Sequence, residues 1–177
     1  MKFITTTIEG VFKIDLEPRF DERGFFARMF CREEFASHGL ETKFVQANTS
    51  YSADSGTLRG MHYQHPPHSE AKLVKCVQGE LYDVVLDLRE DSRSFGRYQA
   101  FDLTAENRSM VYVPKGCAHG FMTMKPDTEI MYMVSASYSP EAEAGIRYDD
   151  PLFNIDWPMV PVEISDKDAG YPIYRPN

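Results

Sequence analysis

The chain has 177 residues and carries 27 acidic and 19 basic side chains, a net charge of −8. This balance argues against a nucleic-acid-binding surface, which needs clustered Lys and Arg, yet a few basic residues converging in a pocket can still hold a small anion. The length suits one domain, 1–177, with a substantial core, and eleven Gly, eleven Pro and 13% aromatics point to short strands broken by many turns.

Residues 10–16 alternate in character and stop at Glu17-Pro18, the pattern of a strand. A second strand is expected at 25–30, opened by the turn-prone Asp21-Glu22-Arg23-Gly24. Residues 32–38 read as a short helix closed by Gly39 at its C-terminus. Further strands are expected at 43–51, 56–64, 72–78, 80–88, 98–103, 109–114, 120–124 and 129–135. Gly79 marks a tight hairpin between two of them. Within 80–88, Leu81, Asp83, Val85 and Asp87 alternate with Tyr82, Val84, Leu86 and Leu88. Acids facing a barrel interior need a cationic partner, so Asp83 and Asp87 are expected in solvent. Ser165-Asp166-Lys167-Asp168 places an N-cap residue before acids, which predicts a short helix; read alone, Asp168 is an exposed acid at its end. Many strands and scarcely any helix imply an all-β sandwich or barrel.

No stretch approaches the ~20 apolar residues of a membrane span, and residues 1–16 show neither a long apolar run nor a small-residue cleavage site. Cys31, Cys76 and Cys117 are an odd set at no metal-ligand spacing, the pattern of free thiols in a reducing compartment. A soluble cytoplasmic protein is expected, with no membrane or nucleic-acid partner.

Two segments carry the chemistry. They are Leu58-Arg59-Gly60-Met61-His62-Tyr63-Gln64 and Val113-Pro114-Lys115-Gly116-Cys117-Ala118-His119-Gly120-Phe121. Cupin-type barrels often hold a metal through His-x-His, a nearby Glu and a His on a later strand. Here the residue two after His62 is Gln64, a poor transition-metal ligand. His65-Pro66-Pro67-His68 reads as a rigid loop, not a ligand-bearing strand. No metal site is therefore expected. His62 and His119, joined by Arg59 and Lys72, instead suggest a base and cationic anchors for an anionic substrate. Arg59 and His62 are in odd register, so sharing a cavity requires a bulge near Gly60.

The chain resembles the dTDP-4-dehydrorhamnose 3,5-epimerases over nearly its whole length. The resemblance rests on the two segments above and on Asp21-Glu22-Arg23-Gly24-Phe25-Phe26, Phe44-Val45-Gln46-Ala47-Asn48-Thr49-Ser50, Lys72-Leu73-Val74, Gly79-Glu80-Leu81-Tyr82-Asp83-Val84, Asp87-Leu88-Arg89, Asp149-Asp150-Pro151, Trp157-Pro158 and Ser165-Asp166-Lys167-Asp168. It implies a double-stranded β-helix (a cupin or jelly-roll barrel) with a few short helices, free of metal and of other cofactors. It also implies a homodimer acting on a nucleotide-linked 4-keto-6-deoxyhexose. By the same resemblance His62 is the base, Asp168 its orienting partner, Tyr132 the acid on the other sugar face, and Lys72 the charge beside the enolate oxygen. Arg59, His119 and Arg23 bind diphosphate and sugar; Gln46, Asn48, Glu143 and Lys167 contact the substrate; Phe26 and Tyr138 lie against base or sugar. Read without the resemblance, Tyr132 is equally a packing aromatic and Glu143 a solvated loop acid.

Five positions depart from the family pattern. Arg28 stands where an acid is usual, Glu70 where Gln is common, Met133 where Lys often follows the tyrosine, and Arg147-Tyr148 replaces a tryptophan-containing pair. These leave open the nucleotide (dTDP, CDP or GDP) and whether C3, C5 or both invert. A metal-dependent cupin oxygenase using His62, His65 or Glu70, and His119, and a non-catalytic sugar-binding cupin, are the alternatives.

Overall fold

The computed structural model describes residues 1–175; Pro176 and Asn177, which the single-domain expectation includes, lie outside the described residues. In chain order the elements are β1 (Lys2–Thr5), β2 (Phe12–Asp15), β3 (Arg19–Asp21), β4 (Gly24–Phe26), α1 (Arg32–Ser37), β5 (Gln46–Ser52), β6 (Thr57–Gln64), β7 (Lys72–Gln78) and β8 (Glu80–Asp87). They continue with β9 (Tyr98–Thr104), β10 (Met110–Val113), β11 (Cys117–Thr123), β12 (Thr128–Val134), β13 (Glu143–Gly145), β14 (Glu163–Ile164) and α2 (Asp166–Ala169).

One sheet runs β1-β2-β10-β7-β12-β5 and the other β13-β6-β11-β8-β9, with β14 added in parallel to β6 and β3–β4 forming a separate hairpin. The inward residues of both sheets make one core, in which Val74, Cys76, Val111 and Ile130 meet Leu81, Val85, Leu103 and Cys117. Period-2 alternation sends the neighbouring residues outward, and these too are covered. Leu73, Met110 and Tyr112 pack under the fully buried Phe35 of α1, while Val84, Leu86 and Ala118 pack against Phe153 and the half-buried Trp157.

This double cover corrects the expectation for Asp83 and Asp87. Both share the inward face of β8 with Leu81 and Val85 and are fully buried. Asp83 faces His119, and Asp87 accepts from Arg89 Nε at 2.8 Å, Ser92 Oγ at 2.6 Å and Ser94 Oγ at 2.7 Å. Burial pushes the Asp87 carboxyl up, but these donors outweigh it and hold its pKa at about 2. A depressed folded-state pKa gives stability above the unfolded value that is lost as pH falls through the folded one. Asp87→Asn is therefore expected to cost about 2–3 kcal/mol in denaturant melts at neutral pH, with the gap to wild type closing between about pH 5 and 2. A pH-independent gap contradicts this.

The strand expected at 25–30 is β4 and ends at Phe26, which pairs with Arg19, the first residue of its short partner β3; Asp21 accepts the Arg23 N–H at 2.9 Å and Gly24 takes φ +130° in the turn between them. The strand expected at 43–51 starts at Gln46, and that at 120–124 starts earlier, at Cys117, and ends at Thr123. β1, β13 and β14 are additional, short strands that borrow their order from longer neighbours. Gly79 takes φ +76°, and a Cβ there would collide with Thr128. α2 is capped as its sequence predicts, with Ser165 Oγ accepting from Asp168 N–H at 3.1 Å.

Candidate active site

β6 and β11 lie side by side, and their register slips between His119↔His62 and Phe121↔Arg59. Gly60 and Met61 thus stand against Gly120 alone, the two-against-one arrangement of a bulge. Only glycine suits the contact: Gly60 has φ +132°, and a Cβ on it would lie 2.5 Å from the Gly120 Cα. The bulge turns Arg59 and His62 into one cavity of about 310 Å³, with His119, Lys72, Tyr132, Lys167 and Asp168 on its walls. A second cavity of about 300 Å³, lined by Gln46, Asn48, Glu70, Tyr138 and Glu143, shares His62, Lys72 and Tyr132 with the first. Those three side chains stand at the junction.

His62 Nε2 lies 2.7 Å from Asp168 Oδ1, while Asp168 Oδ2 accepts the Gly60 N–H at 3.0 Å. Asp168 is buried, correcting its reading as an exposed helix-end acid: α2 docks on β6 and turns the carboxylate inward. Burial alone raises its pKa, but the bonds from His62 and Gly60 prevail and hold it below the ordinary carboxylate range. An ionised carboxylate only accepts, so His62 Nε2 carries a hydrogen and Nδ1 is the nitrogen that takes and gives a proton. Tyr171 packs edge-on against the imidazole at 5.9 Å, in space that Gly145, opposite His62 on β13, leaves free.

His119 makes a second imidazole–carboxylate pair, Nε2 lying 2.7 Å from Asp83 Oδ2; Asp83 Oδ1 is buried without a partner among the described residues. Tyr132, half-buried on β12, has its phenol pKa raised chiefly by burial, with Glu70 adding to the rise and Arg59 opposing it. The buried Lys72 donates from Nζ to the His62 carbonyl at 3.1 Å and lies 3.3 Å from Glu70. Arg59 is held by Ser52 Oγ and the Tyr51 carbonyl at 3.2 and 3.1 Å, and Gln46 Nε2 donates to Asn48 Oδ1 at 2.8 Å. Glu143 lies in β13, not in a solvated loop, and its Oε2 joins Lys167 Nζ at 2.5 Å and Tyr138 Oη at 2.9 Å.

Arg23 and Phe26 are not brought to this site within the chain. They lie on the exposed β3–β4 hairpin, where Arg23 pairs with Asp21 at 2.6 Å and Phe26 faces a separate cavity with Arg19, Arg28 and Glu34. Gln64, two residues after His62, is committed within the chain. Gln64 spends its amide on Glu70, the His68 carbonyl and the Ser139 N–H, and no group of three or more His, Cys, Asp and Glu side chains is placed to hold a metal among the described residues.

The sequence profile of the dTDP-4-dehydrorhamnose 3,5-epimerases matches residues 5–175. The chain belongs to that family. It is 42% identical over 153 residues to the dTDP-4-dehydrorhamnose 3,5-epimerase of Sinorhizobium fredii, covering 86% of this chain and 78% of the relative. Its fold superposes on the crystal structure of the Elizabethkingia anophelis epimerase with a TM-score of 0.95 at 36% identity, covering 98% and 96% of the two chains. A Legionella pneumophila epimerase, solved in complex with dTDP-4-keto-L-rhamnose, matches with a TM-score of 0.90 at 38% identity, covering 96% and 90%. The family's cupin-type sandwich is the all-β architecture that the strand pattern predicts.

Asp83 and Tyr171, which contact His119 and His62, are neighbours of the candidate site that sequence reasoning did not assign. The signal for Asp83 was present in 80–88, whose acid-bearing face required a cation if turned inward. For Tyr171 there was none.

Proposed function

We propose that the protein epimerises a dTDP-linked 4-keto-6-deoxyhexose at C3 and C5. The observation that carries this reading is one cavity system holding a carboxylate-bound imidazole, a protonated phenol and a buried lysine together. The 4-keto group acidifies the hydrogens on C3 and C5. His62 Nδ1 removes one, and the electron pair moves onto O4 as an enolate. Asp168 steadies the imidazolium so formed, and Lys72 offers positive charge to the enolate oxygen. Tyr132 gives a proton from the opposite ring face, inverting the carbon and becoming a phenolate, and water then takes the proton from His62 and returns one to the Tyr132 oxygen, so that both groups are reset for the second carbon. Arg59 and His119 serve the diphosphate, Arg through its forked donors.

The test is to supply dTDP-, CDP- and GDP-linked 4-keto-6-deoxy sugars and follow inversion by proton NMR. Inversion at both carbons, with dTDP preferred, is the expected result. Inversion at one carbon makes it a C3-only or C5-only epimerase, preference for CDP or GDP reassigns the nucleotide, and tight binding with no turnover makes it a sugar-binding protein.

A homodimer is part of the same proposal. Phe20, Phe25 and Phe26 are exposed on the hairpin that carries Arg23, and a second copy contributing this hairpin completes a site that otherwise lacks Arg23 and Phe26. Mixed dimers of Arg23→Ala and His62→Asn chains are then expected to regain activity that neither variant has alone, since one of their two sites is intact. No recovery on mixing means that the site is built within one chain.

A further inference from the structure

Glu70 has no part in the proton transfers above, yet its carboxylate is buried in the wall of the cavity that His62 and Tyr132 share. Oε1 lies 3.3 Å from Lys72 Nζ, and Oε2 accepts from Gln64 Nε2 at 2.7 Å. Gln64 is saturated by other partners. Its Nε2 also donates to the His68 carbonyl at 2.9 Å, and its Oε1 accepts the Ser139 N–H at 2.6 Å. A neutral side chain of the same shape could keep the Gln64 bond, so the contact that requires an anion is the one to Lys72.

The other acids around Lys72 are already engaged. Asp83 on β8 is bound to His119, and Glu143 on β13 to Lys167 and Tyr138. Glu70 is the carboxylate that forms an ion pair with Lys72 among the described residues.

We propose that Glu70 is a positioning residue for the epimerisation, keeping Lys72 an ammonium so that it remains a donor towards the sugar. The proposal rests on the role given to Lys72 under Proposed function. The 3.3 Å ion pair carries it: burial draws the Lys72 pKa down, and Glu70 supplies the largest opposing effect, ahead of Asp83 and Glu143. Removing the Glu70 charge therefore lowers the pH at which Lys72 loses its proton.

The experiment compares wild type, Glu70→Gln and Glu70→Asp in two ways: kcat and KM against pH, and the Lys72 titration followed by NMR of 13C-labelled lysine, assigned with Lys72→Met. The NMR arm reads Lys72 without turnover. Absence of epimerase activity in wild type refutes the functional reading, while the titration still judges the Glu70–Lys72 pairing. In Glu70→Gln, Lys72 is expected to deprotonate at lower pH and the alkaline limb of kcat to move with it. Activity then falls roughly tenfold at about pH 9 but less than about threefold at about pH 6.5, with KM little changed. Glu70→Asp, which keeps the charge, is expected to retain the wild-type limb. An unmoved Lys72 titration, or a loss by the same factor at every pH, overturns the proposal. If Glu70→Gln does not fold, its combination with Lys72→Met is expected to fold, because the unpaired ammonium is gone; failure of both contradicts the pairing.

Discussion

His62→Asn is expected to abolish solvent deuterium incorporation into the 4-keto sugar, a loss of about a thousandfold or more at both C3 and C5. Asparagine matches part of the imidazole's shape and can still bond to Asp168, but it has no nitrogen that accepts a proton near neutral pH. The fold is expected to survive, since His62 is only half-buried and its neighbour Met61, not His62, anchors the outer core. The decisive readout is mass spectrometry of substrate recovered from heavy water. Exchange at the wild-type rate in this variant removes His62 as the base. Asp168→Asn is a milder probe, because a neutral amide can still accept from the imidazole while giving up the charge that steadies it.

Tyr132→Phe separates removal of the proton from its return. The variant is expected to take up deuterium through His62 while losing about a hundredfold or more of its inversion, because the enolate is then reprotonated from the face it came from. Burial raises the phenol pKa, so wild type keeps its Tyr132 proton well into the alkaline range, and the contrast with phenylalanine is expected to persist there. Full inversion in Tyr132→Phe means that another group protonates the far face.

How much of this was legible in the sequence depended on what each residue needed. The Arg59–His62 problem was readable, because period-2 geometry makes odd register a contradiction that only a bulge relieves, and Gly60 supplies it. Asp168 was not readable from spacing. It lies 106 residues from His62 and reaches it only because α2 docks on β6, so its pairing came from family resemblance. Asp83 and Asp87 were misplaced because alternation shows which residues share a face but not which face is inward, and β8 is covered on both sides. The 43–51 segment began too early and β4 was overextended for the same reason: a strand lasts only as long as its partner, and β5 pairs with β12 only from Gln46 while β4 loses β3 after Phe26. β13 and β14 have three and two residues and hold their form by pairing with β6, so no local pattern announces them. The hairpin carrying Arg23 and Phe26 shows the converse limit. The motif was legible, but within one chain the hairpin lies away from the cavity, and only the proposed dimer would bring it there.

Inversion by this route requires two side chains addressing opposite faces of one sugar ring. A crystal structure with a dTDP-linked 4-keto-6-deoxy sugar bound tests this most directly. The prediction places His62 Nδ1 against C3 or C5 on one face, the Tyr132 hydroxyl on the other, and Lys72 Nζ within hydrogen-bond distance of O4. Both groups on the same face, or a sugar seated away from them, contradicts it.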